Sequence, residues 1–291
     1  MKFGKVEHPE LIDYALPEDR FNSTQLFRNK GKEQTIELYV GTAKWGKKDL
    51  KNFYPKGIKE ELPFYAKQFN CIELNATFYR IFPREQYIKW KTMVPTDFRF
   101  FPKMVQNVSH LRRLNEMAYP ALERYLDATA NFENNLGTIF LQMHPNFGPK
   151  NWDRVVHFVE NWPKEFALAL EFRHEDWFRD EFLSQELYHL LETNNISNIL
   201  VDTAGRRDLL HMRLTNNEAF IRFVATNQEV DYERINTWVN KLEQWQKSGL
   251  RKIDFFIHQT MQSDSSLLAT FLIENLNKRL NSRLVIPKSI K

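Results

Sequence analysis

Glu171 and Arg173 stand two residues apart in Phe-Ala-Leu-Ala-Leu-Glu-Phe-Arg, residues 166–173. Alternate side chains of an extended strand share a face. An acid and a base therefore sit together at the carboxyl end of a strand whose opposite face, Leu168, Leu170 and Phe172, is apolar. The pattern recurs. Glu73 and Asn75 end the run 71–75, Lys103 follows Phe101, and Gln142 closes an apolar stretch. Asp202 shares a face with Asn198 and Leu200, Arg222 comes late in 219–224, and His258 ends 253–258. Two carboxylates in one desolvated site have their pKa values driven apart, so that one gives a proton and the other takes it. Lysine and arginine hold a carboxylate or phosphate and stabilise developing negative charge. Glu171, Glu73, Asp202 and Lys103 are the candidate catalytic groups, and Arg173, Arg222, Asn75, Gln142 and His258 candidate ligand contacts. Arg173 beside Glu171 keeps that carboxylate ionised, which suits a base or an anion-orienting group. The competing reading is a balanced ion-pair network that fills one end of the sheet, although such networks are costly to desolvate.

The loops after these strands add Trp45, Phe78, Tyr79 and Trp177, flat rings that suit a sugar face or a base, or a lid packed on itself. His110, His144, His174 and His258 follow strand ends, and with the acids they are the residue types of a divalent metal site. No His-x-His or His-Glu-x-x-His pair is present, and the nearby cations would repel a metal, so no cofactor is expected and a divalent metal is the alternative. His110 and His174 are read as substrate contacts. Cys71, the lone cysteine, permits neither an intramolecular disulfide nor a thiolate zinc cluster and is expected to be buried.

The elements that position these residues alternate. Strands are expected at 36–42, 71–75, 98–104, 137–143, 166–173, 196–202, 219–224 and 253–258. Helices are expected at 60–69, 83–94, 119–134, 149–162, 184–194, 231–247 and 263–281, with a short or broken helix in 206–217. Ile235, Trp238, Leu242 and Trp245 fall at helical spacing and read as core. Strand–helix alternation implies parallel strands with right-handed crossovers. Eight units predict an α/β fold, a TIM-barrel-like (β/α)8 parallel barrel over 36–291, with an N-terminal extension over 1–35. An open doubly wound sheet is the alternative, without a Gly-x-Gly-x-x-Gly or Walker loop to support it.

At 291 residues, 42% hydrophobic and 27% charged, the chain has the composition of a globular protein. The formal net charge of +4 is weakly basic, and the pairs Lys47-Lys48 and Arg206-Arg207 read as solvated surface charge. A nucleic-acid partner is possible without being supported by charge. The first nine residues lack the apolar core of a secretory leader and no run approaches a membrane span, so a cytoplasmic protein with no membrane partner is expected.

Together the segments resemble the YecE-like family, domain-of-unknown-function family 72. The matching motifs are Gly41-Thr42-Ala43-Lys44-Trp45 with Phe53-Tyr54-Pro55, and Glu73-Leu74-Asn75-Ala76-Thr77-Phe78-Tyr79-Arg80. Further on come Pro95-x-x-Phe98-x-Phe100 with Lys103, Ser109-His110 with Arg113-Leu114, Gln142 with Pro145, Glu171-Phe172-Arg173-His174-x-x-Trp177, and Asp202. The resemblance covers about residues 36–275. It implies a TIM-barrel-like fold and supplies no reaction. From the residues alone, the expected function is acid/base chemistry, of a hydrolase or lyase, on a small anionic or sugar- or nucleotide-like substrate. The alternatives are a metal-assisted phosphodiester hydrolase and a non-catalytic nucleic-acid or sugar-phosphate binding protein.

Overall fold

Short runs rich in Val, Ile, Leu and Phe, punctuated by polar turns, extend rather than coil. They form β1 Glu37–Thr42, β2 Cys71–Leu74, β3 Arg99–Pro102, β4 Ile139–Gln142, β5 Leu168–Glu171, β6 Ser197–Asp202, β7 Glu218–Ala225 and β8 Lys252–Gln259. Between them lie α1 Glu61–Tyr65, α2 Arg84–Thr92, α3 Tyr119–Thr129, α4 Trp152–Glu160, α5 Glu181–Thr193, α6 Val230–Ser248 and α7 Ser265–Leu280. This computed structural model describes residues 6–21, 26–27, 36–50, 52–259 and 265–288. The polar stretch 22–32 and the expected helix start at 263 therefore fall largely outside the described residues. The strands form one sheet in the order β3-β2-β1-β8-β7-β6-β5-β4. The pairings of β1 with β2 and β8, of β5 with β4 and β6, and of β7 with β8 are parallel. Parallel bridges Phe100↔Leu136 and Lys103↔Phe140 join the two ends of that order. The fold is the expected TIM-barrel-like (β/α)8 arrangement.

By its internal contacts the chain forms two compact units, residues 1–72 with 200–291, and residues 73–199. In the second, Ile139 and Leu141 of β4 and Leu168 and Leu170 of β5 pack under Tyr125, Val155, Phe158, Leu187 and Leu191 of α3, α4 and α5. Local chemistry sets where these helices begin and end. α5 starts at Glu181, earlier than the apolar spacing predicts, because Asp180 Oδ1 accepts from the Leu183 amide at 3.0 Å and caps it. α3 stops at Thr129, and a 3-10 turn follows in which Glu133 has φ 48°.

In the first unit, Trp238 and Trp245 of α6 are buried, as their spacing predicts. Gly249 at φ 121° ends α6. The described part of the N-terminal extension packs on this helix. Trp245 Nε1 and Lys241 Nζ donate to Asp19 at 2.9 and 3.2 Å. Arg20 N donates to the Met212 carbonyl at 3.0 Å, and the Tyr14 ring lies 4.5 Å from the Arg234 guanidinium.

β1 and β2 approach closely at one glycine. Gly41 pairs with Cys71, and a Cβ at position 41 would stand 2.4 Å from the Cys71 carbonyl oxygen. Cys71 is itself buried. Backbone is hard to displace, so Gly41→Ala is expected to destabilise the protein by about 2 kcal/mol, read as a lower urea midpoint at unchanged slope. An unaltered midpoint would mean that the two strands part there without cost.

Candidate active site

Parallel register sets the centre of the site. Gln142 of β4 pairs with Glu171 of β5, so the two side chains leave the sheet side by side. Gln142 Nε2 donates to Glu171 Oε1 and Oε2 at 2.9 and 3.1 Å. Its amide oxygen accepts from Lys103 Nζ at 3.0 Å. Arg173 Nε donates to Glu171 Oε1 at 2.5 Å. One carboxylate, 2% exposed, thus holds an arginine directly and a lysine through a neutral amide. The hydrogen bonds from Gln142 and Arg173 occupy both Glu171 oxygens, which suits an orienting group.

Glu73, fully buried at the end of β2, accepts from Asn75 Nδ2 at 2.9 Å. The loop that follows is tied to β3. Thr77 Oγ1 donates to the carbonyls of Leu74 and Lys103 at 2.9 and 2.8 Å, and Lys103 N donates to the Leu74 carbonyl at 3.1 Å. These bonds set Phe78 beneath Lys103, whose ammonium lies 4.5 Å from the ring centroid.

His110 also meets Phe78, edge to face at 4.8 Å, with the His144 ring 5.3 Å from its own. It sits on a π-helical turn, Asn107–Leu111, followed by Arg113 and Leu114 at φ 48° and 58°. Burial, then the charges of Lys103, His144, Arg173 and Arg113, push the His110 pKa down to about 4, so the ring is neutral at pH 7. Sequence reasoning named His110 and Phe78 but not the turn that brings them together.

Other expected contacts lie elsewhere. Trp177, expected as a ligand contact, is wholly buried. It packs on Phe147, Trp152 and Phe172, and its Nε1 donates to the Phe147 carbonyl at 2.6 Å. A ring with so many apolar neighbours is core. His174 Nδ1 accepts from the Asp176 amide at 3.3 Å and the ring lies against Gly148. Tyr79 is 70% exposed, and its carbonyl accepts from Gln106 Nε2 at 3.3 Å. A cleft of about 410 Å³ opens beyond Arg113, lined by Leu114, Met117, Tyr119, Arg154 and His157 among others. The polar cluster does not line it.

Trp45, Asp202, Arg222 and His258 belong to the first unit. Trp45 is half-buried, and its carbonyl accepts from the Tyr54 hydroxyl. Asp202 faces α6, away from where the strand pattern would have it act on a ligand. Its carboxylate accepts from Arg234 Nη2 at 2.8 Å, from Trp238 Nε1 at 2.7 Å, and from Arg207. Arg207, read from the sequence as solvated surface charge, is thus part of a buried network. Arg234 also pairs with Asp231 at 2.7 Å. Phe223 and Phe255 lie against Arg234 and Trp238 of α6. Alternation therefore turns Arg222 and His258 to the opposite face, where Phe220 and Phe256 pack at 5.0 Å.

That face carries a cluster the sequence did not reveal. Lys252 Nζ lies 3.3 Å from both Glu218 and Asp254. Burial, against the pull of Lys252 and with the help of Glu218, holds the Asp254 carboxyl well above its ordinary range. Among the described residues no three His, Cys, Asp or Glu side chains are placed to share a metal ion. Nor is any described helix long and apolar enough to cross a membrane.

Removing one partner of a buried ion pair strands the other. Asp202→Asn is accordingly expected to lower stability by about 3 kcal/mol. Chemical denaturation of the intact protein checks this. Unchanged stability would remove the network from the fold's supports.

The family model described as "Protein of unknown function DUF72" matches residues 39–289. Among curated relatives, the UPF0759 protein YecE of Escherichia coli K12 is 26% identical over 275 residues, covering 86% of this chain and 96% of its own. The UPF0759 protein YunF of Bacillus subtilis is 30% identical over 204 residues, covering 66% and 71%. Two crystal structures of DUF72 family proteins share the fold. TM1631 of Thermotoga maritima aligns with a TM-score of 0.66 at 23% identity over 84% of this chain and 100% of its own. EF0366 of Enterococcus faecalis aligns at 0.67 and 17% identity over 86% and 100%. With its family model matched over most of its length, the chain belongs to the family of proteins of unknown function DUF72.

Proposed function

We propose that the protein is an enzyme that binds a small anionic, sugar-like or nucleotide-like substrate at the carboxyl ends of β2 to β5 and moves a proton on it without a cofactor. The run Lys103–Gln142–Glu171–Arg173 carries this reading. It joins two cations to a single carboxylate from three strands in succession, within hydrogen-bond distance at every step. Glu171 positions the cations. Lys103 and Arg173 engage the substrate's phosphate or carboxylate and stabilise negative charge that develops on it. Phe78 supplies aromatic surface for a ring. Glu73 is the second carboxylate, steadied by Asn75.

The test is a binding screen on the intact protein. Sugar phosphates, nucleotides and small carboxylates are ranked by the rise in melting temperature they cause, since a ligand of the folded state stabilises it by mass action. The best of them should lose about tenfold or more in affinity with Lys103→Met or Arg173→Met, as expected for a charged hydrogen bond worth roughly 1.5 kcal/mol or more. Equal affinity in both variants would place the ligand elsewhere. A ligand that binds tightly and is recovered unchanged after prolonged incubation would favour the binding-protein reading over the enzyme.

A further inference from the structure

The strongest feature outside that run is His110. Ser109, wholly buried, directs its hydroxyl toward the Val105 carbonyl at 3.3 Å and lies 2.9 Å from His110 Nδ1. A hydroxyl has one proton to give. With that proton turned to Val105, its oxygen accepts from Nδ1–H, and the lone pair of the neutral ring is on Nε2. The Arg113 side chain donates back to the His110 carbonyl at 3.0 Å, closing the turn around the ring. π-helical turns and left-handed non-glycine residues are uncommon and gather at functional sites. Here both occur within eight residues, 107–114.

We propose that His110 is the proton acceptor of this site, its Nε2 freed by the bond from Nδ1 to Ser109, and that it accepts a proton only when an anion is bound beside Lys103 and Arg173. The proposal rests on the anion-binding reading above. The groups acting on the ring come from each neighbouring segment: Lys103 after β3, Arg113 on its own loop, His144 after β4 and Arg173 after β5. The acids of the site are Glu73 and Glu171, and the bonds from Asn75, Gln142 and Arg173 engage them. Burial lowers the proton affinity of His110 most, the charged side chains that act on it next are cationic, and together they keep the ring neutral without an anion. A bound dianion offsets them, so proton affinity at Nε2 rises when the substrate is in place. The step balances. Nε2 takes a proton from a substrate hydroxyl or carbon acid, and the bonding pair stays on the substrate as negative charge facing Lys103 and Arg173. The imidazolium then returns the proton to the product or to solvent. Ser109 is a positioning residue. A neutral substrate would leave the base unarmed, which makes the anion a condition for chemistry as well as for binding.

Nitrogen–proton correlation NMR of the histidine rings in the full chain tests this, with His110 identified by the signals lost in His110→Gln. Sulfate is the probe, because it stays doubly charged across the range used. Without it His110 should remain neutral with its proton on Nδ1 between about pH 5 and 7.5. With saturating sulfate at matched ionic strength, its titration midpoint should rise by about one pH unit or more. By linkage, sulfate should bind more tightly at the acid end of that range. Ser109→Ala should release the tautomer while sulfate still binds, and Ser109→Thr should restore it. A ring protonated on Nε2 in the unaltered protein overturns the proposal. Sulfate that binds, seen in shifts around Phe78, yet leaves His110 unmoved overturns it while sparing the anion site. No sulfate binding overturns both.

Discussion

Residues paired across parallel strands point their side chains the same way, and at the ends of β4 and β5 the pair is Gln142 and Glu171. Much of the site depends on that register. A slip of one residue would turn Glu171 into the apolar layer now filled by Leu168 and Leu170, and would bring Leu170 out in its place. The glutamine matters for its neutrality. Its amide donates to the carboxylate and accepts from Lys103, so it transmits orientation from Glu171 to a lysine without adding charge. A second acid at 142 would neutralise the cations, and a second base would compete with Arg173 for Glu171.

Asp202 and Glu171 show how little residue type alone decides. Both are acids at the carboxyl end of a central strand, both are buried, and both hold an arginine. Asp202 meets Arg234, Arg207 and Trp238, donors from α6 and its own loop, and Asp231 caps the other side of Arg234. Donors and acceptors there belong to the supporting scaffold, and the network ties α6 to the end of β6. Around Glu171 the partners are strand ends, and the charges they gather lie beside two aromatic or imidazole rings, Phe78 and His110. The first arrangement pins a helix. The second collects positive charge at one place.

Period-two alternation made the strands legible, because each buries an aliphatic face under helices, and seven polar strand ends followed from the same rule. Glu73, Lys103, Gln142, Glu171 and Arg173 were all visible that way. The direction of Asp202 was not. Its alternation placed it with Leu200, but Arg234 is distant in sequence and nothing local announces that an arginine on α6 will reach back to it. Trp177 misled for a related reason. An aromatic a few residues past a strand end, as Trp177 is six past the end of β5, fits either a rim or a core, and only the positions of Phe147, Trp152 and Phe172 decide between them. The Lys252–Glu218–Asp254 cluster needed the pairing of β7 with β8, which composition does not encode. Helix starts failed where a side chain out of the apolar pattern, Asp180, supplied the cap.

Ser109, His110, Arg113 and Leu114 stood out in the sequence, but the backbone that joins them across 107–114 was hidden most completely. Of the segment's apolar residues, Val108 and Leu114 are buried and anchor it to the core, while Leu111 is exposed. Anchors at both ends force the residues between them to adopt whatever backbone spans the gap. A regular α-turn would rotate His110 by a large fraction of a turn relative to Phe78, since each residue advances the helix by about 100°. Widening the turn and then reversing it through Arg113 and Leu114 keeps the imidazole against Phe78 and Ser109 instead. Non-glycine residues at positive φ cost of order 1–3 kcal/mol each, and two in succession need support from their surroundings. The Arg113 bond to the His110 carbonyl and the Leu114 amide bond to Val108 at 3.1 Å supply some of it. Both bonds close on the loop that holds the imidazole, so the strain and its support serve the same ring. A loop needed only to connect β3 to α3 has less costly conformations available to it, and the placement of His110 is what distinguishes this one.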